Sequence, residues 1–167
     1  VRIIWVTAAF VLIASLVVSL FALYLGDPLF LRAPNDESII NLFREHHGEL
    51  SQLQRMASDD GVGYLSASHL DGISNMKRKQ EYASLLAQIR PGLIVARSNH
   101  STRFILASGG LSAIGPGWMK GIEHFDEGFQ PTGIPSQELD RPSTLPIGAV
   151  SIRKIDSNWF IVFQRLE

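Results

Sequence analysis

Hydropathy divides the chain unevenly. Ile3 to Leu25 is an uninterrupted apolar run without a charged side chain. As a helix rising ~1.5 Å per residue it would cover ~35 Å, enough to cross a hydrocarbon core of ~30 Å with some tilt. A cleavable signal peptide has an apolar region of ~7–15 residues and small residues at its exit. This run is longer, and it leaves through Leu23-Tyr24-Leu25-Gly26. The pattern predicts a retained transmembrane helix over residues 1–26, a tether over 27–34 and one domain over 35–167. Arg2 precedes the run and Asp27 follows it. The positive-inside bias then leaves the N-terminus in the cytoplasm and the domain outside a bacterial inner membrane.

Beyond the tether the period shortens to three and four. Ile39, Phe43, His46, Leu50, Leu53 and Ala57 make one apolar stripe, which predicts a helix from about 35 to 58 with Asn35 or Asp36 as cap. Gly48 in its middle predicts close packing there. Tyr82, Leu85, Leu86 and Ile89 predict a second helix over Met76–Ile89, stopped by Pro91-Gly92. The period then falls to two, with strands expected over 62–66, 93–97, 103–108, 118–125, 150–155 and 158–165. In the last of these, Trp159, Ile161 and Phe163 alternate with the equally apolar Phe160 and Val162. Such a strand is central or covered on both faces. The expected fold class is α+β: behind the transmembrane helix, two helices pack on an antiparallel sheet of about five strands. Pro131, Pro135, Pro142 and Pro146 punctuate Phe125–Gly148, which reads as a surface loop or a strap over the sheet.

Charge narrows the range of partners. Fifteen basic residues face sixteen acidic ones, and the longest basic run is Lys77-Arg78-Lys79. Nucleic acid would require a concentrated basic face, so none is expected. The chain has no Cys. Disulfides, thiol chemistry, cysteine zinc sites and acylation as a lipoprotein are therefore excluded.

Candidate chemistry is sparse. His46 and His47 stand beside Glu45 and Glu49, but two histidines four apart are missing, and His46 falls on the apolar stripe. His69, His100 and His124 lie on different elements, with Glu123 and Asp126 near the last. They act as ligands or as an acid–base pair only if the fold gathers them. Ser108, Ser112 and Lys120 lack the spacing of a serine–lysine nucleophile. The glycines of GGLSAIGPG do not follow the strand–loop–helix order of an anion cradle, so they read as turns. Lys120, on a strand between Trp118 and Ile122, is placed to receive a carboxylate.

The stretches NLFREHHGELSQLQRMASDD (Asn41–Asp60), MKG (Met119–Gly121) and NWFIVFQR (Asn158–Arg165) resemble a group of small exported bacterial proteins. Those proteins carry an N-terminal signal or lipid anchor and a compact α+β domain. The resemblance covers most of the domain and rests on packing residues: Phe43, Leu50, Leu53, Met56 and Trp159. It implies export and a fold, and it carries no activity and no cofactor. This chain departs from the lipid-anchored members in having no Cys.

The sequence thus leads to a membrane-anchored, non-enzymatic envelope protein. Its outward domain binds another macromolecule, a protein, with protection against a toxin as one version. Its contact with the bilayer is Ile3 to Leu25. The alternatives are an accessory subunit assembled through the transmembrane helix and an envelope hydrolase using the scattered histidines. Lys120, Phe129, Glu138 and Asp140 are the expected partner-binding residues. No metal or other cofactor is expected.

Overall fold

The strands of the second half of the chain alternate apolar side chains between two faces, and the sheet they build keeps those faces distinct. A computed structural model describes residues 33–109, 117–140 and 145–166. Its elements are α1 (Asp36–Glu45), α2 (His47–Asp59), β1 (Tyr64–Ser66), α3 (Met76–Ile89), β2 (Ile94–Arg97), β3 (Ser101–Gly109), β4 (Trp118–Phe125), β5 (Ile134–Pro135), β6 (Val150–Asp156) and β7 (Trp159–Arg165). The seven strands form one sheet in the order β1-β2-β3-β4-β7-β6-β5. β7 is central, between β4 and β6, as its two apolar faces require.

The expected fold is corrected in three respects. The described sheet has seven strands where about five were expected: short β1 falls within the expected 62–66 stretch at one edge, and β5, which was not expected, extends the other. It is mixed and not antiparallel, since β5 runs parallel to β6. Among the described residues there are three helices and not two, because the predicted 35–58 helix breaks at His46, whose φ of −116° and ψ of 23° leave the helical range. The expected membrane-crossing helix Ile3–Leu25 lies outside the described residues. Among the described residues no helix is long and apolar enough to cross a membrane.

The break has a geometric reason. Asp36 at the start of α1 meets Lys120 of β4, while Phe43 meets Trp159, which pairs with His124 four residues further along β4. α1 therefore follows the strands. α2 instead begins with His47 against Trp159 on β7 and ends with Ser58 on Arg97 of β2, so it crosses β4 and β3. One straight helix cannot take both directions. α3 is secured to the end of α2 by Asp60, which accepts hydrogen bonds from Tyr82 Oη at 2.7 Å and Arg78 Nε at 2.8 Å.

The three helices cover one face of the sheet. Ile39, Leu50, Leu53, Tyr82 and Leu86 are buried with Val95, Phe104, Ile122, Trp159, Ile161 and Phe163. Among the described residues the opposite face carries no helix. It holds a smaller apolar cluster of Ile152, Phe160 and Val162, with Phe125 and Val150 packed against it.

Two glycines separate backbone crowding from open space. Beside a β-bulge in β3 between Ile105 and Ala107, the Phe104 carbonyl oxygen lies against Gly121, where an added Cβ would collide with it. Gly48, expected to be closely packed, has nothing within 4 Å of a Cβ. Gly121→Ala should therefore lower the urea midpoint sharply. Gly48→Ala should raise stability by up to ~1 kcal/mol through helix propensity. The same urea titrations check both, and equal effects would contradict this packing.

Candidate partner-binding cleft

The proline-rich segment after β4 gives the helix-free face its relief. Leaving Phe125, the chain lays Phe129, Gln130 and Thr132 beside Val150 and Ile152. It then forms β5 at the sheet edge and turns onto the opposite face, where Leu139 joins the main core. It is thus a strap wrapped around one edge. Both sequence alternatives, surface loop and strap, describe parts of it.

On the helix face the strap is fastened by ion pairs. Lys120 is completely buried, and its ammonium meets Asp36 Oδ1 at 2.7 Å, Asp140 Oδ1 at 3.0 Å and the Leu139 carbonyl at 3.1 Å. The ammonium thus hydrogen-bonds Asp140 and the Leu139 carbonyl and is ion-paired with Asp36 Oδ1. Asp36 Oδ2 accepts from Arg153 Nη1 at 2.7 Å and from the Leu139 amide at 3.0 Å. Asp140 Oδ1 accepts the Asp36 amide at 2.6 Å, satisfying an orphan donor of the first turn of α1. Burial would push the Asp36 carboxyl up. Hydrogen bonds from Lys120, Arg153 and the Leu139 amide outweigh it and hold the group below the usual carboxylate range.

On the helix-free face lies a cleft of about 540 Å³. Its floor is Ile105 of β3, Met119 and Phe125 of β4, and Val150 and Ile152 of β6. Arg103 and Glu123, directly opposite each other on β3 and β4, cross it. Arg103 Nη2 and Nε lie 2.7 and 2.9 Å from Glu123 Oε2, and Nη1 donates to Gln164 Oε1 at 2.7 Å. Ser101 Oγ donates to the other Glu123 oxygen at 2.6 Å. The two charges thus neutralise each other, and neither is left as a free acid, base or ion. The rim is a stacked pair, His100 on Phe129, with ring centroids 3.6 Å apart.

The four residues expected to bind a partner separate into two groups. Lys120 and Asp140 meet each other on the helix face, and the carboxylates expected from a partner come from within the chain. Phe129 is 45% exposed at the cleft rim, and Glu138 is exposed in a turn closed by Ser136 Oγ. The histidines do not converge: His69 packs on Tyr64, His100 on Phe129 and His124 on Trp159. Among the described residues no group of three His, Asp or Glu side chains could hold a metal ion. Ser112 lies outside the described residues. Sequence reasoning took Asp36 only as a possible helix cap and did not single out Arg103 or Arg153. The signal for Arg103 was a charged residue at a period-two position of an apolar strand, opposite an acid on the next.

No protein-family model, no curated protein and no solved structure matches this chain. The cleft and the fastened strap are therefore read on their own chemistry.

Removing the ammonium alone would leave the Asp36 and Asp140 carboxylates facing each other. Lys120→Met should cost ~3–5 kcal/mol in urea unfolding, the range for breaking one side of a buried pair. Asp36 contributes stability that is fully present above pH 3.8 and is lost as pH falls through its lower folded value. In Lys120→Met this acid loss should shrink. An unchanged midpoint and acid profile would show that the ion pair contributes nothing.

Proposed function

We propose that the domain is a binding module whose helix-free cleft holds a short extended segment of a protein partner. The observation that carries this reading is the pairing within the cleft. Arg103 and Glu123 neutralise each other across it and Arg97 at its end faces Asp126 at 3.9 Å, while the floor is apolar and Phe129 stands partly exposed at the rim. Such a lining rejects a charged ligand, whose ion would lose water without gaining a counter-charge. It favours an apolar or aromatic side chain flanked by backbone amides, for which Gln130, Thr132 and Ser98 supply hydrogen-bonding groups. Exposed Ile134 on β5 adds apolar surface on the same strap.

The uncharged run Ile3–Leu25 supports placing this module at a bacterial inner membrane, with the domain on the outer side and the bilayer as its second contact. A protein acting by capture at that surface needs no reacting group, and binding is preferred to hydrolysis on that ground.

The proposal is tested in the full chain in native membranes. A photo-crosslinking residue is placed at Thr132 in the cleft or at exposed Lys77 on α3. The cleft position should give a discrete protein adduct and the α3 position should not. Met119→Trp, which fills the floor, should reduce the cleft adduct at least tenfold while the melting midpoint stays within a few degrees. Equal adducts from both positions, or a cleft adduct indifferent to Met119→Trp, would overturn the reading.

A further inference from the structure

The helix-facing side of the sheet ends in a row of residues set directly opposite one another. Arg97 of β2 pairs with Thr102 of β3, Thr102 with His124 of β4, and His124 with Trp159 of β7. Direct partners share a face, so these side chains form one line across four strands. α2 roofs the line. His47 lies 5.9 Å from the Trp159 ring at one end, and Ser58 Oγ accepts from Arg97 Nη2 at 3.0 Å at the other. Between these ends the seam is unsatisfied. Arg97 Nε, Thr102 Oγ1 and His124 Nδ1 are all buried without a hydrogen-bond partner, and Thr102 is wholly enclosed.

The groups facing His124 can be named element by element. β3 presents Thr102 and β7 presents Trp159, edge-on at 4.7 Å. Arg97 of β2 lies beyond Thr102, and His47 of α2 lies beyond Trp159. Asp126 follows β4, with its Oδ2 3.9 Å from Arg97 Nη2. No carboxylate hydrogen-bonds the imidazole. Burial lowers the His124 pKa below 6.5, and the attraction of Asp126 opposes this only in part. The seam is therefore built for a neutral ring.

The same strand ends carry the cleft. Ser101 and Arg103 flank Thr102, Glu123 and Phe125 flank His124, and all four line the opposite face. The rim is suspended from this point. The Asp126 amide donates to His100 O at 2.9 Å, and the Phe129 amide donates to Asp126 O at 3.1 Å.

We propose that this seam is an acid-operated latch, in which a proton taken up by His124 opens the end of the sheet and loosens the His100–Phe129 rim. The role in releasing a bound segment rests on the cleft reading, whereas the opening itself does not. A proton on His124 adds a second cation to the row with Arg97 under α2 and gives its buried Nδ1 an N–H with no acceptor in reach. Opening hydrates the ring and restores its ordinary pKa. Because the closed-state pKa is the lower one, closure is favoured above pH 6.5 and is lost as pH falls towards the closed-state value. The open population should therefore be larger at pH 5 than at pH 7.5.

Amide hydrogen exchange on the full chain tests the latch, with intrinsic rates corrected for pH. Between pH 7.5 and 5, the amides of Asp126 and Phe129 should lose protection relative to those of α3. In His124→Asn, which keeps a polar group but cannot titrate, they should not. An equal response in the variant, or no response in the wild type, overturns the latch. If the variant does not fold, an NMR titration of the wild-type His124 ring decides. Ring protonation that tracks the lost protection supports the latch, and ring protonation without it overturns the latch. A latch that opens while the cleft takes no crosslinks would leave the latch standing and remove the cleft reading.

Discussion

The Lys120 ammonium is fully buried, and the arrangement of the domain follows from how that charge is satisfied. Desolvating an ion costs several kcal/mol even after relaxation, so it is tolerated only when every donor has an acceptor. The acceptors come from two places far apart in sequence: Asp36 in the first turn of α1, and the Leu139 carbonyl with the adjacent Asp140 side chain at the end of the strap. Arg153 closes the set on β6, so two cations oppose two carboxylates. One balanced cluster thereby fixes where α1 starts, where the strap ends and how both lie on β4 and β6.

Fastening the strap on one face gives the other face its cleft. A segment punctuated by Pro131 and Pro135 makes few strand contacts of its own, and its position depends on its fixed points. Leu139 and Asp140 hold one end beneath the helices, and the Phe125–Asp126 backbone holds the other beside His100. The stretch between them crosses the helix-free face and leaves Phe129 uncovered. The second charge pair, Arg103 with Glu123, is neutralised within the same sheet but faces the cleft. The two faces therefore use paired charges differently: on one they join elements, and on the other they leave a lining without net charge.

Local pattern was legible in the sequence, and long-range pairing was not. The period of α3 is set by Tyr82, Leu85, Leu86 and Ile89, and Asn75 caps it as such a sequence requires. β4 and β7 occupy the expected stretches because their alternation decides them. The break at His46 could not be read, since the stripe through Ile39, Phe43, Leu50 and Leu53 continues across it. What imposes the break is the change of direction over the sheet. β5 escaped because Ile134-Pro135 has no period, and its pairing follows from the strap reaching the edge of β6. Lys120 was legible as a residue waiting for a carboxylate. That the carboxylates are Asp36 and Asp140 is a property of the fold, separated from it by most of the domain or by the strap. Arg103 and Glu123 looked like ordinary strand charges until register placed them opposite each other.

Native-state hydrogen exchange at the Asp36 and Leu139 amides tests the central claim most directly, because both donate to carboxylates of the ion-paired cluster. If the cluster fastens helix and strap together, both amides exchange only through global unfolding, with protection matching that of β7. Both should also lose it together in Asp36→Asn at constant overall fold. Exchange of either amide at the rate of an exposed loop, or loss of one without the other, would contradict the account.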